Sequence, residues 1–195
     1  MKNQSEIIKQ MTDREILFHL YMTQAVLFLI ASIFAFFLFD SLEEVLFLFE
    51  KDGIEIFVYG GIAGISVVLL DLWLMKVFPI SYFDDGGINK KVFENRSIFH
   101  IFVLCWIIAI TEEWLFRGVI QTHLGLSLAS ILFAITHIRY LKKWLLFIIV
   151  TALSFLLGWL YEWTANLYVT IFAHFLIDFF FGVKIRMEYL KGKKR

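Results

Sequence analysis

Long apolar runs, broken at intervals by short charged segments, organise this chain. A helix needs roughly 20 apolar residues to cross the hydrocarbon core of a bilayer. Leu17–Phe39 and Ile54–Met75 meet that length, and Ser97–Ile120 meets it if its helix continues through the acidic pair Glu112-Glu113. Leu126–Ile138 is short, and Trp144–Tyr161 and Leu167–Val183 lie near the lower limit. An unclosed sheet cannot satisfy its backbone in lipid, so strands are excluded as spanning elements. The pattern predicts an all-α fold: a polytopic membrane helical bundle of about six transmembrane helices, the fourth only partly spanning.

Composition agrees. The chain has 195 residues, 60% of them hydrophobic and 18% charged, where a soluble domain spends about a quarter on charge. One Pro and 11 Gly leave little room for a linker, so residues 1–195 read as a single membrane domain with polar termini at 1–15 and 184–195. The N-terminal stretch lacks the features of a cleaved signal, and the first apolar run is expected to stay as a span. The end, Lys193-Lys194-Arg195, carries no prenylation box. Net charge is zero, which gives no reason to expect nucleic acid. The single Cys105 excludes an internal disulfide and a cysteine-rich metal cluster, and reads as a small buried hydrophobe.

Charge alternates between the connections. Lys2, Lys9 and Arg14 precede the first span, and Lys76, Lys90, Lys91 and Arg96 follow the second. Arg139, Lys142 and Lys143 follow the fourth, and six basic residues fill the tail. The first loop instead holds Asp40, Glu43, Glu44, Glu50 and Asp52 against Lys51. The positive-inside rule therefore predicts a multi-pass cell membrane protein with both termini in the cytoplasm. The segment 40–52 reads equally as an interfacial helix or an ordinary loop.

Ionisable residues inside a bilayer are expensive unless paired or used. Three sets stand out. Glu112, Glu113 and Arg117 follow the apolar run Ile101–Ile110. Glu113 and Arg117, four apart, can pair on one helix face. Glu112 lies about 100° around the helix, which leaves it for a partner elsewhere in the bundle. His137 follows Phe133 by one turn, and His174 precedes Asp178 by one turn. Buried polar groups must find partners, and Glu112, His137, His174 and Asp178 are one another's best candidates. At 1.5 Å per residue, Glu112 sits about 22 Å from the Ser97 end and His174 about 10 Å from the Leu167 end. His19, Glu55, Asp71, His100 and His123 fall near span ends and read as interfacial, and Glu162, at the close of the fifth span, as a loop residue or one that supports the site from behind.

The chemistry open to such a set is limited. A carboxylate in low dielectric can serve as a general base, and a neighbouring histidine can share the proton or steady an oxyanion. Glu112, His137, His174 and Asp178 could instead ligate a divalent metal such as Zn2+ with an open water position. Both arrangements activate water and point to hydrolysis. No nucleophile elbow and no His-Glu-x-x-His pair is present. A non-enzymatic alternative is a proton-coupled transporter or scaffold that uses the same buried cluster.

Glu112-Glu113-Trp114-Leu115-Phe116-Arg117, Phe133-Ala134-Ile135-Thr136-His137 and His174-Phe175-Leu176-Ile177-Asp178 resemble the three motifs of the CPBP family. That family comprises the type 2 CAAX prenyl proteases and the bacteriocin-processing, or Abi, proteins. The resemblance covers residues 101–181. It implies an intramembrane endopeptidase in which Glu112, helped by His137, activates water, and His174 and residue 178 hold an oxyanion or a metal. Many members carry Asn where this chain has Asp178, and an ionised Asp cannot donate to an oxyanion. Glu113, Arg117 and Phe133 are expected to support the site. The implied cofactor is either none, in a glutamate-type enzyme, or a divalent metal. The implied partner is a membrane-associated peptide or protein substrate within the lipid bilayer.

Overall fold

The computed structural model describes residues 10–49, 53–137, 140 and 143–193, and among them every regular element is helical. Helix α1, Asp13–Leu38, opens on a capping box. Thr12 Oγ1 accepts from the Glu15 amide, and the Glu15 carboxylate accepts from the Thr12 amide, so two otherwise orphaned donors are satisfied. Helix α2, Leu42–Phe47, lies in the acidic first loop and is capped by Ser41. The predicted segment 40–52 is thus helical over its middle, and 50–52 lie outside the described residues.

Helix α3, Gly53–Val77, contains a π-helical turn at Ile56–Gly60. A 3-10 turn, Ile80–Tyr82, and the short α4, Ile88–Phe93, lead to α5, Ile98–Leu124, whose stretch Trp114–Gln121 is also π-helical. Gly125, at φ 83°, reverses the chain into α6, Leu126–Thr136. Such a φ suits glycine, which has no Cβ to clash. The last two helices are α7, Trp144–Thr164, and α8, Leu167–Lys193.

Five of these helices, α1, α3, α5, α7 and α8, are long and apolar enough to cross a membrane. Helix α6 has 11 residues, about 16 Å, and covers only about half a hydrocarbon core of about 30 Å. The predicted bundle and its short fourth member are both present. Helix α8 runs ten residues beyond the predicted Val183, and a Lys184–Glu188 ion pair at 2.7 Å supports the extension.

Helix α5 is the centre of the bundle. α8 and α1 pack along it, while α6 and α1 both lie against its π-helical stretch and α7 packs on α6. α3 closes on α8 through small residues. A Cβ on Gly60 would stand 2.7 Å from the Val169 carbonyl oxygen, and one on Gly64 3.0 Å from that of Ala173. Such close backbone approach is how helices associate where lipid offers no hydrophobic drive. At one end of the bundle Asn95 and Arg96 bind Asp13, and Arg186 binds the Glu94 carbonyl. At the opposite end His123 reaches the Leu38 carbonyl and Leu167 N–H donates to Leu48.

Candidate active site

The site begins where α5 changes pitch. After the apolar run the chain reads Thr111-Glu112-Glu113 and then enters the π-helical stretch, where Thr122 Oγ1 donates to the Arg117 carbonyl five residues back. π-bulges of this kind are frequent at functional sites. Glu113 and Arg117 are 0% and 1% exposed, and Arg117 Nη1 lies 3.1 Å from Glu113 Oε1, as their spacing predicts. The guanidinium also donates to the Ser154 carbonyl at 2.8 Å and to its hydroxyl at 3.1 Å. Its carbon stands 4.9 Å above the Phe133 ring, a favourable cation–π placement in a desolvated setting. One side chain thus joins α5 to α6 and α7.

His174 of α8 completes the buried chain. Its Nδ1 is 2.8 Å from Glu113 Oε1, and its Nε2 is 3.6 Å from Asp178 Oδ2. With Glu113 as a carboxylate, Nδ1–H donates and fixes the ring's orientation. The sequence reading paired Glu113 with Arg117 alone. In the structure one oxygen of Glu113 serves both Arg117 and His174, so the supporting carboxylate is also the link between the first and third motifs.

Glu112 faces another way. It accepts a hydrogen bond from Gln24 Nε2 at 3.3 Å, and Gln24 Oε1 accepts a short bond from Thr111 Oγ1. Gln24, 3% exposed in the middle of α1, escaped the sequence reading. The available signal was a lone amide within an apolar span. Glu112 remains within electrostatic reach of Arg117 and His174.

His137 caps the C-terminus of α6, and its backbone departs from helical there. If Leu126 marks the edge of the bilayer, His137 lies about 17 Å inside it. Non-helical backbone at that depth is tolerated only inside protein or along a cavity. His137 Nδ1 is 3.0 Å from the Phe133 carbonyl. Donation there leaves the basic lone pair of the neutral ring on Nε2.

Phe133 is the hub. Its ring stacks on His137 at 4.7 Å, meets His174 edge-on at 6.3 Å and Phe116 at 5.0 Å, and lies beneath Arg117. Of the four residues predicted to converge, His137 and His174 lie against one aromatic ring and Asp178 stands beside His174, while Glu112 is turned to Gln24. Among the described residues, no three His, Cys, Asp or Glu side chains come together to hold a metal ion. His174 presents one nitrogen to Glu113 and the other to Asp178, and the donor set Glu112, His137, His174 and Asp178 does not fit a metal in this arrangement.

Other polar residues have structural partners. Tyr21 binds His100 at 2.9 Å, His123 bridges the carbonyls of Val119 and Leu38, and Cys105 is fully buried.

Comparison with known proteins places this region in a family. The family model described as type II CAAX prenyl endopeptidase Rce1-like matches residues 94–180, which include α5, α6, α7 and the site-bearing part of α8. An uncharacterized protein of Bacillus subtilis (strain 168), YpbD, is 50% identical over 173 residues, covering 89% of this chain and 92% of its own. No solved structure matches. Three motifs on neighbouring helices, joined through Glu113 and Phe133, coincide with the matched region: the chain belongs to the Rce1-like family of type II CAAX prenyl endopeptidases, intramembrane proteases at the level of the family.

Proposed function

We propose that the protein is an intramembrane endopeptidase that hydrolyses a membrane-associated peptide, with Glu112 and His137 activating water. The observation that carries this reading is the division of labour within the acidic pair. Glu113 is engaged by Arg117 and His174, while Glu112, on the same turn, has only the neutral amide of Gln24 as its hydrogen-bond donor among the described residues. A carboxylate so placed is available to take a proton.

In this scheme the water oxygen attacks the scissile carbonyl carbon as its proton passes to Glu112, with His137 Nε2 sharing that proton. A tetrahedral oxyanion results. The amine leaves as the carbon–nitrogen bond breaks and takes up the transferred proton. His174, whose Nδ1–H is held by Glu113, donates through Nε2–H to the oxyanion when its ring is doubly protonated. Asp178 faces that ring at 3.6 Å, beyond hydrogen-bond distance, and does not itself contact the oxyanion, since an ionised carboxylate has no proton to donate.

The test is cleavage of a membrane-anchored peptide by purified protein in proteoliposomes. Glu112→Gln and His137→Ala each lower cleavage by about a hundredfold or more, in the range of lost general-base catalysis, with the melting temperature preserved. Full activity in both variants would sink the proposal.

A further inference from the structure

The interior holds a second polar feature that the proposed chemistry does not use. From Glu113 and Arg117 a seam of polar groups continues along the facing sides of α5 and α7. Arg117 meets Ser154; one turn further, Gln121 Nε2 donates to the Gly158 carbonyl at 2.7 Å; beyond that, Thr122 and Tyr161 share a hydrogen bond at 2.8 Å. Ser130 of α6 joins from the side. A Cβ built on Gly158 would stand 2.8 Å from Gln121 Oε1 and 3.4 Å from Ser130 Oγ. The seam ends at a cavity of about 250 Å³ lined by Gln121, Thr122, Tyr161 and Glu162 among others, at the end of the bundle away from Asp13 and Lys193.

Four buried side-chain atoms along this seam lack a hydrogen-bond partner among the described residues: Glu113 Oε2, Arg117 Nε, Gln121 Oε1 and Ser130 Oγ. The Thr170 hydroxyl, which donates to the Leu167 carbonyl, also lies close to the Glu113 carboxylate. Gln121 is 4% exposed and Ser130 1%. A buried donor or acceptor without a partner costs about 1–3 kcal/mol, and several in a row within a hydrocarbon slab would be a severe defect. Internal water is the ordinary remedy, and a water takes roughly 30 Å³ with two to four polar partners. The cavity has room for several, and the seam supplies donors and acceptors in alternation.

We infer that the α5–α7 seam binds a file of internal waters running from the cavity at Gln121, Thr122 and Tyr161 to the Glu113–Arg117 pair. Water thereby reaches the buried cluster from the Leu124 end of α5. As a supply line for hydrolysis the file rests on the reading above; its test does not involve cleavage, so either can fail alone.

The test uses silver ion, a thiol reagent close to water in size, on the full-length protein in nanodiscs. In a Cys105→Ser background, single cysteines are placed by Gln121→Cys, by the nearly isosteric Ser130→Cys, and by Leu157→Cys in the dry core. Remaining thiols are counted with maleimide after denaturation. Cysteines at 121 and 130 are expected to be consumed at least tenfold faster than the one at 157. Rates at both positions no faster than at 157 would overturn the inference. So would reaction at 121 alone, which would confine water to the cavity.

Discussion

Helices α1 and α3 bury 17% and 22% of their most apolar stretches inside the protein, whereas α5 and α8 bury 50% and 44%. The two that bury least carry the long lists of outward Phe, Leu and Ile, with Phe36 80% exposed and Phe37 76%. A water-soluble protein sorts the other way, large apolar groups inside. In a bilayer an outward Phe loses little, because the tails are as apolar as a core. Interior positions go instead to groups that lipid cannot satisfy or to residues small enough for backbones to meet. Inside this bundle are Glu113, Arg117, Gln121, Ser130, Ser154 and His174, with glycines at the α3–α8 contact. The two regions differ less in how apolar they are than in what they turn inward.

Substitutions can break that contrast or sharpen it. The largest stability effect is expected from Arg117→Met, which strands the Glu113 carboxylate. A buried pair broken on one side costs about 3–5 kcal/mol, readable as a large fall in melting temperature in detergent. Gly60→Val on α3 is next. Its Cβ would press on the Val169 carbonyl oxygen, and overpacking of this order costs about 1–3 kcal/mol. The loss should appear as separation of α3 from α8, followed by cross-linking between cysteines placed on the two helices. Gln24→Leu tests whether the peripheral α1 belongs to the site. It removes the bonds to Thr111 and Glu112 at about 1 kcal/mol, and peptide cleavage should fall further than stability does. Phe36→Ala, on the lipid face of the same helix, should change stability by less than about 0.5 kcal/mol. A larger loss there would mean that α1 meets protein and not lipid along that face.

The spans were readable because membrane thickness and backbone hydrogen bonding leave one solution, and α6 was readable as short from its apolar run alone. Glu113–Arg117 and His174–Asp178 were readable from four-residue spacing on a helix. Bonds between helices were not. The link from Glu113 to His174 depends on how α5 and α8 are rotated against each other. The π-helical stretch Trp114–Gln121 advances that rotation by an amount no 3.6-residue pattern encodes. Gln24 was invisible for a related reason: an amide in an apolar run announces burial but not its partner. Metal binding is decided at the same level, since four suitable residue types in the sequence say nothing of whether their donor atoms point at one centre.

Phe133 contributes no charge and no hydrogen-bonding side chain, yet its ring is bounded by a guanidinium and two imidazoles drawn from three different helices. It acts as a shared bearing. A shift of α6 relative to α5 or α8 moves His137 and disturbs the seats of Arg117 and His174 together. Changes in separate motifs therefore should not add as independent sites do, because each is felt through the same ring. The three motifs, far apart in sequence, form one mechanical unit, and a helix too short to cross the membrane holds its centre.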